Sequence, residues 1–160
     1  MQLPILLGAS FVAVATASLP PINLGRYAYP RTNEMVAWSP FTPTTTQDLL
    51  DVCNERGPAS GSKTWTTIQA ISTIINKPLC RRPFNVTDIE TNTTYYDLEL
   101  ACADEHIDLL TAWQVTAVVD RATNKPVQTC VPKSSEDGIA CTECAGFRSQ
   151  LCYMYACTSV

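Results

Sequence analysis

Two successive periodicities and an even set of cysteines predict an α+β domain: an N-terminal helical hairpin packed on a small antiparallel sheet and stapled by disulfides. Apolar residues recur at three- and four-residue steps between Leu49 and Ile75, and alternate with polar ones from Tyr96 onward. Helices first and strands later, without repeated strand–helix alternation, is the α+β order. The eight cysteines are Cys53, Cys80, Cys102, Cys130, Cys141, Cys144, Cys152 and Cys157. An even count of this kind in a short chain reads as a disulfide framework.

The compartment follows from the first residues. Leu3 to Ala17 is an uncharged, mostly apolar run ending in Ala15-Thr16-Ala17, the small residues that signal peptidase requires. It is shorter than the roughly 20 residues of a membrane span. Residues 1–17 are therefore expected to be a signal peptide, with Ser18 as the new N-terminus. Residues 18–43 form a lead-in in which Pro20, Pro21, Pro30, Pro40 and Pro43 oppose regular helix and favour extended backbone. It reads as a propeptide, an arm, or a strip packed on the domain through Tyr27, Tyr29 and Trp38. Residues 44–160 are the single disulfide-stabilised domain.

Thr44 with Gln47 three residues on is a capping-box spacing, and Asp48 adds negative charge to the same turn. Leu49, Leu50, Val52 and Cys53 make an apolar stripe, and Gly57-Pro58 ends the helix. Trp65, Ile68, Ile71, Ile74 and Ile75 repeat at helical spacing, although Thr66, Thr67, Ile68, Ile71, Thr73, Ile74 and Ile75 are β-branched and pull toward strand. The period favours a second helix, antiparallel to the first, with Cys53 paired to Cys80 across the hairpin.

Strand alternation then takes over. Tyr96, Leu98, Leu100 and Cys102 alternate with Asp97, Glu99 and Ala101. Trp113 to Val119 and Val127 to Val131 alternate likewise, and the polar loop 120–126 joins them as an antiparallel hairpin. Phe147 to Cys157 is a fourth strand, with Tyr153 and Tyr155 directed to the core. On an extended strand Cys152 and Cys157 point to opposite faces and take different partners. The tail cysteines pair mainly with one another or with Cys102 and Cys130.

Charge and motif content exclude several functions. Eleven Lys and Arg against fifteen Asp and Glu give a net charge of −4, which disfavours nucleic acid as a partner. No later stretch is long and apolar enough to predict membrane insertion, and a monomer is expected. Cys141-x2-Cys144 resembles half of a zinc site or a redox dithiol, but no matching half and no histidine lie nearby, and an oxidising compartment favours structural disulfides. No metal or other cofactor is expected. The acidic stretch from Asp88 to Asp108 lacks the Asp-x-Asp-x-Asp-Gly pattern of a calcium loop and reads as a solvated face. His106 is the only histidine, and no Gly-x-Ser-x-Gly elbow accompanies it, so it reads as a polar loop residue. Asn85-Val86-Thr87 and Asn92-Thr93-Thr94 are glycosylation sequons.

With its leader, Pro-rich lead-in and dispersed cysteines, the chain resembles the small secreted cysteine-rich proteins of filamentous fungi, many of them candidate effectors of plant pathogens. The resemblance lies in architecture over the whole chain, and it carries no individual site residue. It implies a non-enzymatic glycoprotein of the apoplast that binds a host or wall protein or glycan, as a virulence or avirulence factor. The alternatives are a secreted toxin or antimicrobial protein, and a small secreted hydrolase or ribonuclease using His106.

Overall fold

A computed structural model describes residues 18–30, 32–58, 63–71, 79–103, 114–133, 141–145 and 148–160. In chain order these form β1 (Ile22–Tyr29), β2 (Thr32–Trp38), α1 (Thr46–Arg56), β3 (Thr66–Ile71), β4 (Phe84–Asp88), β5 (Thr93–Cys102), β6 (Val115–Asp120), β7 (Lys125–Pro132), β8 (Cys141–Cys144) and β9 (Ser149–Ser159). The strands form one sheet in the order β3-β2-β1-β9-β7-β6-β5-β4, with β8 paired to the remaining stretch of β9. Every named pairing is antiparallel. A parallel bridge from Ser39 to Asp88 joins the far ends of β2 and β4, so the sheet curls almost into a barrel.

The expected α+β fold with a helical hairpin is thus overturned: 58% of the described residues are strand, with one short helix among them. The first helix forms as expected, one residue later at its cap. Thr45 is the N-cap, its side chain accepts from the Asp48 amide, and Asp48 completes the capping box; Gly57 is the C-cap. The second expected helix fails. Residues 66–71 are β3, paired with β2 from Asn33 to Ala37. Its β-branched residues suit a pleated surface, and an available strand edge outweighs a helical spacing of apolar residues. Residues 72–78, the rest of that expected helix, lie outside the described residues.

The Pro-rich segment supplies β1 and β2, and β1 lies inside the sheet between β2 and β9. Pro20 and Pro21 lack amide protons, and side chains take up the carbonyls around them. Gln128 Nε2 donates to the carbonyls of Leu19 (3.3 Å) and Pro20 (2.7 Å). Ser159 Oγ donates to Leu19 O and Ser39 Oγ to Pro21 O. After β2, a cis Ser39–Pro40 bond turns the chain, and Phe41 O accepts from Asn23 Nδ2 and Trp38 Nε1.

Two apolar clusters result. The inner one fills the barrel with Ile22, Leu24, Met35, Leu98, Leu100, Val118, Tyr155 and their neighbours. The outer one lies between α1 and the back of the sheet, with Trp38, Leu49, Val52, Trp65, Leu151 and Tyr153. Tyr153 donates to Asn23 Oδ1 at 2.6 Å, and burial pushes its pKa well above the ordinary tyrosine range.

Irregularities in strand pairing decide several side-chain directions. Tyr153 joins the outer cluster and Tyr155 the inner one, because a register shift between β1 and β9 separates them. Gln128 and Cys130 turn inward on β7, while Val131 stays 56% exposed.

All eight cysteines are paired. Cys53 bonds Cys144, Cys80 bonds Cys102, Cys130 bonds Cys157, and Cys141 bonds Cys152. The expected Cys53–Cys80 bond is not formed, since α1 packs against β8 and β9 and carries Cys53 to Cys144. Cys152 and Cys157 do take different partners. Both lie directly opposite them, on β8 and β7 respectively.

Candidate functional site

Among the described residues, an open groove with an apolar floor lies at one end of the barrel, about 560 Å³ in volume. It is of the size that holds small ligands, and barrel mouths are a common place for them. Its floor is continuous with the core, because Leu98 belongs to the inner cluster and Leu19, Tyr95 and Val127 pack against it. Tyr96, Asp120, Ser159, Ser18 and Val160 complete the lining.

Local backbone irregularity builds this groove. Between the pairs Phe84–Leu98 and Val86–Tyr95, β5 holds one residue more than β4. The resulting bulge places Asp97 at φ 56°. Asn85 Oδ1 accepts from the Asp97 amide at 3.0 Å, so the bulged donor is not orphaned. Tyr96, which alternation assigns to the core with Leu98, is instead 70% exposed at the groove. A matching shift between Val118 and Val119 leaves Val127 out of register with β6 and facing the same space.

The polar groups here are mainly acceptors. Asp120 closes the β6–β7 turn by accepting from the Ala122 and Thr123 amides through Oδ1. Its other carboxylate oxygen supplies negative charge to the rim. The Ser159 hydroxyl proton is committed to Leu19 O, which leaves its oxygen as an acceptor. An apolar floor, an exposed tyrosine and a rim of acceptors suit a small amphipathic molecule that donates hydrogen bonds.

The residues singled out by sequence fall elsewhere. His106 lies outside the described residues, as do Asp104, Glu105 and Asp108. Asp97 and Glu99 pair with Arg121 across the solvated sheet surface. Asp88 caps the β4–β5 turn: burial opposes its ionisation, but hydrogen bonds from Thr91 and the Glu90 amide outweigh this and lower its pKa. Cys141 and Cys144 belong to different disulfides, which leaves no dithiol or half zinc site between them. Among the described residues, no group of three His, Cys, Asp or Glu side chains is arranged to hold a metal ion, and no helix is long and apolar enough to cross a membrane.

Both sequons sit on the β4–β5 hairpin. Asn85 and Asn92 are exposed, and the hydroxyls of their threonines, Thr87 and Thr94, meet across the strands at 3.0 Å. Sequence reasoning missed the groove residues because Tyr96 obeys the core alternation, Asp120 resembles any turn residue, and Leu19 belongs to the Pro-rich lead-in. No protein-family model, curated protein or solved structure matches this chain, so no site residue is carried over from a relative.

Proposed function

We propose that this is a secreted, non-enzymatic binding protein that acts outside the producing cell by holding a host or wall component in the barrel mouth. The single observation that carries the reading is the groove of Leu19, Tyr96, Leu98, Asp120 and Val127, apolar at its floor and acceptor-rich at its rim. The bound component is a small amphipathic molecule, or the end of a larger one, that donates hydrogen bonds to Asp120. Four disulfides in a chain of this size are compatible with an extracellular location and with resistance to proteases there. Glycans on Asn85 and Asn92, on one exposed hairpin, belong to the same reading. So does the role of effector, as a virulence or avirulence factor.

The test is a small-ligand screen on the secreted protein, read by thermal shift and by NMR shifts of the Leu98, Val127 and Leu19 methyl groups. Hits are expected to move these methyls and to lose tenfold or more in affinity on Tyr96→Ala. Asp120→Asn keeps the turn acceptor, removes the charge, and should weaken cationic or hydroxylated hits selectively. Hits that bind both variants as tightly as the parent, or that leave these methyls unmoved, would discard the groove as the site.

A further inference from the structure

We infer that the Cys141–Cys152 disulfide is a thiol-exchange site, at which Cys141 accepts a small external thiol and Cys152 leaves as a thiolate beside Arg26. Three features set this bond apart from the other three. Cys141 is the one exposed half-cystine, whereas Cys80 and Cys102 are half-buried and the remaining cysteines are buried. Cys152 is 3% exposed, so an incoming thiol meets Cys141 Sγ and not its partner. Arg26 lies opposite Cys152 in the β1–β9 register, and its guanidinium approaches Cys152 Sγ at 4.0 Å.

Cys130–Cys157 is the internal control. It too bridges directly opposed residues of antiparallel strands and also hangs on β9, but its sulfurs belong to residues 6% and 0% exposed. Reactivity confined to Cys141–Cys152 would therefore follow from access and charge, not from cross-strand placement.

The step balances as ordinary thiol–disulfide exchange. The external thiol loses its proton to solvent, and its thiolate attacks Cys141 Sγ. The new S–S bond forms as the Cys141–Cys152 bond breaks, and that bond's electron pair leaves on Cys152 Sγ. Arg26 stabilises the departing charge. A second thiol then attacks the mixed disulfide and frees Cys141 as thiolate. Two small thiols are oxidised to one disulfide while the protein bond takes up two electrons. Opening is local, because β8 stays paired to β9 and tied to α1 through Cys144–Cys53.

The experiment incubates the native secreted protein with graded reduced glutathione at neutral pH, then traps thiols by alkylation and maps them by peptide mass. The expected first product carries glutathione on Cys141 and alkylated Cys152, with the other three disulfides intact and circular dichroism unchanged. An opposite charge near a thiol lowers its pKa by about one unit or more. With a Brønsted slope near one half, Arg26→Gln should slow the first cleavage about threefold while Arg26→Lys keeps most of the rate. A first adduct on any other cysteine, simultaneous loss of all four bonds, or an unchanged rate in Arg26→Gln would each overturn the assignment.

Discussion

The cluster inside the barrel is enclosed by the curvature of the sheet, whereas the outer cluster is enclosed by one 11-residue helix and a disulfide. The inner cluster is mainly aliphatic and draws on strands from β1 to β9. The outer one is richer in aromatics, with Tyr27, Trp38, Trp65 and Tyr153 around Leu49 and Val52. Tyr27 and Trp65 meet in a tilted contact 5.0 Å between ring centres, and Trp38 and Tyr153 in another at 5.7 Å. Broad flat side chains let a short helix cover the back of β2, β1 and β9, and these strands become buried on both faces. The opposite side of the sheet, β5 to β7, has no such cover and keeps one face in water.

The sharpest way to break this comparison is to remove the tether of the outer cluster. Cys53 and Cys144 lie 91 residues apart, and the chain-entropy relation assigns a loop of that length about 4.5 kcal/mol. Replacing both by serine should lower stability by roughly that amount in denaturant titration. Replacing Cys141 and Cys152, 11 residues apart, should cost only about 3 kcal/mol. Equal losses would mean that α1 is held by packing alone.

A smaller effect is expected at Gly25, where the sheet meets the outer cluster. An added Cβ would stand 2.9 Å from Trp38 Cζ3 and 3.0 Å from the Cys152 carbonyl oxygen. Trp38 is 1% exposed, so it has little room to yield. Gly25→Ala should destabilise by about 1–3 kcal/mol, as overpacking does, with a change in tryptophan fluorescence. An unaltered midpoint and spectrum would show that the outer cluster is looser than its contacts suggest.

The smallest effect belongs to the helix cap. Thr45→Ala should cost about 1 kcal/mol by removing the acceptor for the Asp48 amide. Hydrogen bonds from the Thr44 amide and hydroxyl, with lesser ones from Thr45, outweigh the opposing effect of burial and hold the Asp48 pKa below its ordinary value. A depressed folded pKa adds stability above the unfolded value, near 3.9, and that stability is lost as pH falls through the folded pKa. The cap should therefore weaken in acid: helical ellipticity falls as pH drops through the folded Asp48 pKa, and Asp48→Asn removes that fall. A loss that Asp48→Asn leaves unchanged would mean that other carboxylates with lowered pKa, such as Asp88, govern it.

This division of the molecule also explains which elements were legible. β5, β6 and β7 could be located by alternation because they have one wet face, and β9 by Leu151, Tyr153 and Tyr155 at every second position. So could α1, since its cap, stripe and stop are local signals. β1, β2 and β3 were not. A strand buried on both faces shows no alternation, so Met35 to Trp38 reads as an undifferentiated apolar run, and the prolines around β1 suggest an appendage. Trp65, Ile68 and Ile71 happen to fit a helical step, and only the edge of β2 reveals that they belong to a strand. The candidate groove was hidden for a related reason: the extra residue that turns Tyr96 outward is defined by its pairing with β4, a relation between distant positions.

By itself the sequence determined the even set of cysteines that pair as disulfides, helix α1 with its capping turn, and the run of antiparallel strands toward the C-terminus. These rest on residue type and on neighbours a few positions away. Which cysteine meets which, which face of β7 turns inward, and how β5 opens a groove at the barrel mouth were decided only by the tertiary structure. Each depends on strand register, and register is set by the sum of contacts over the whole sheet.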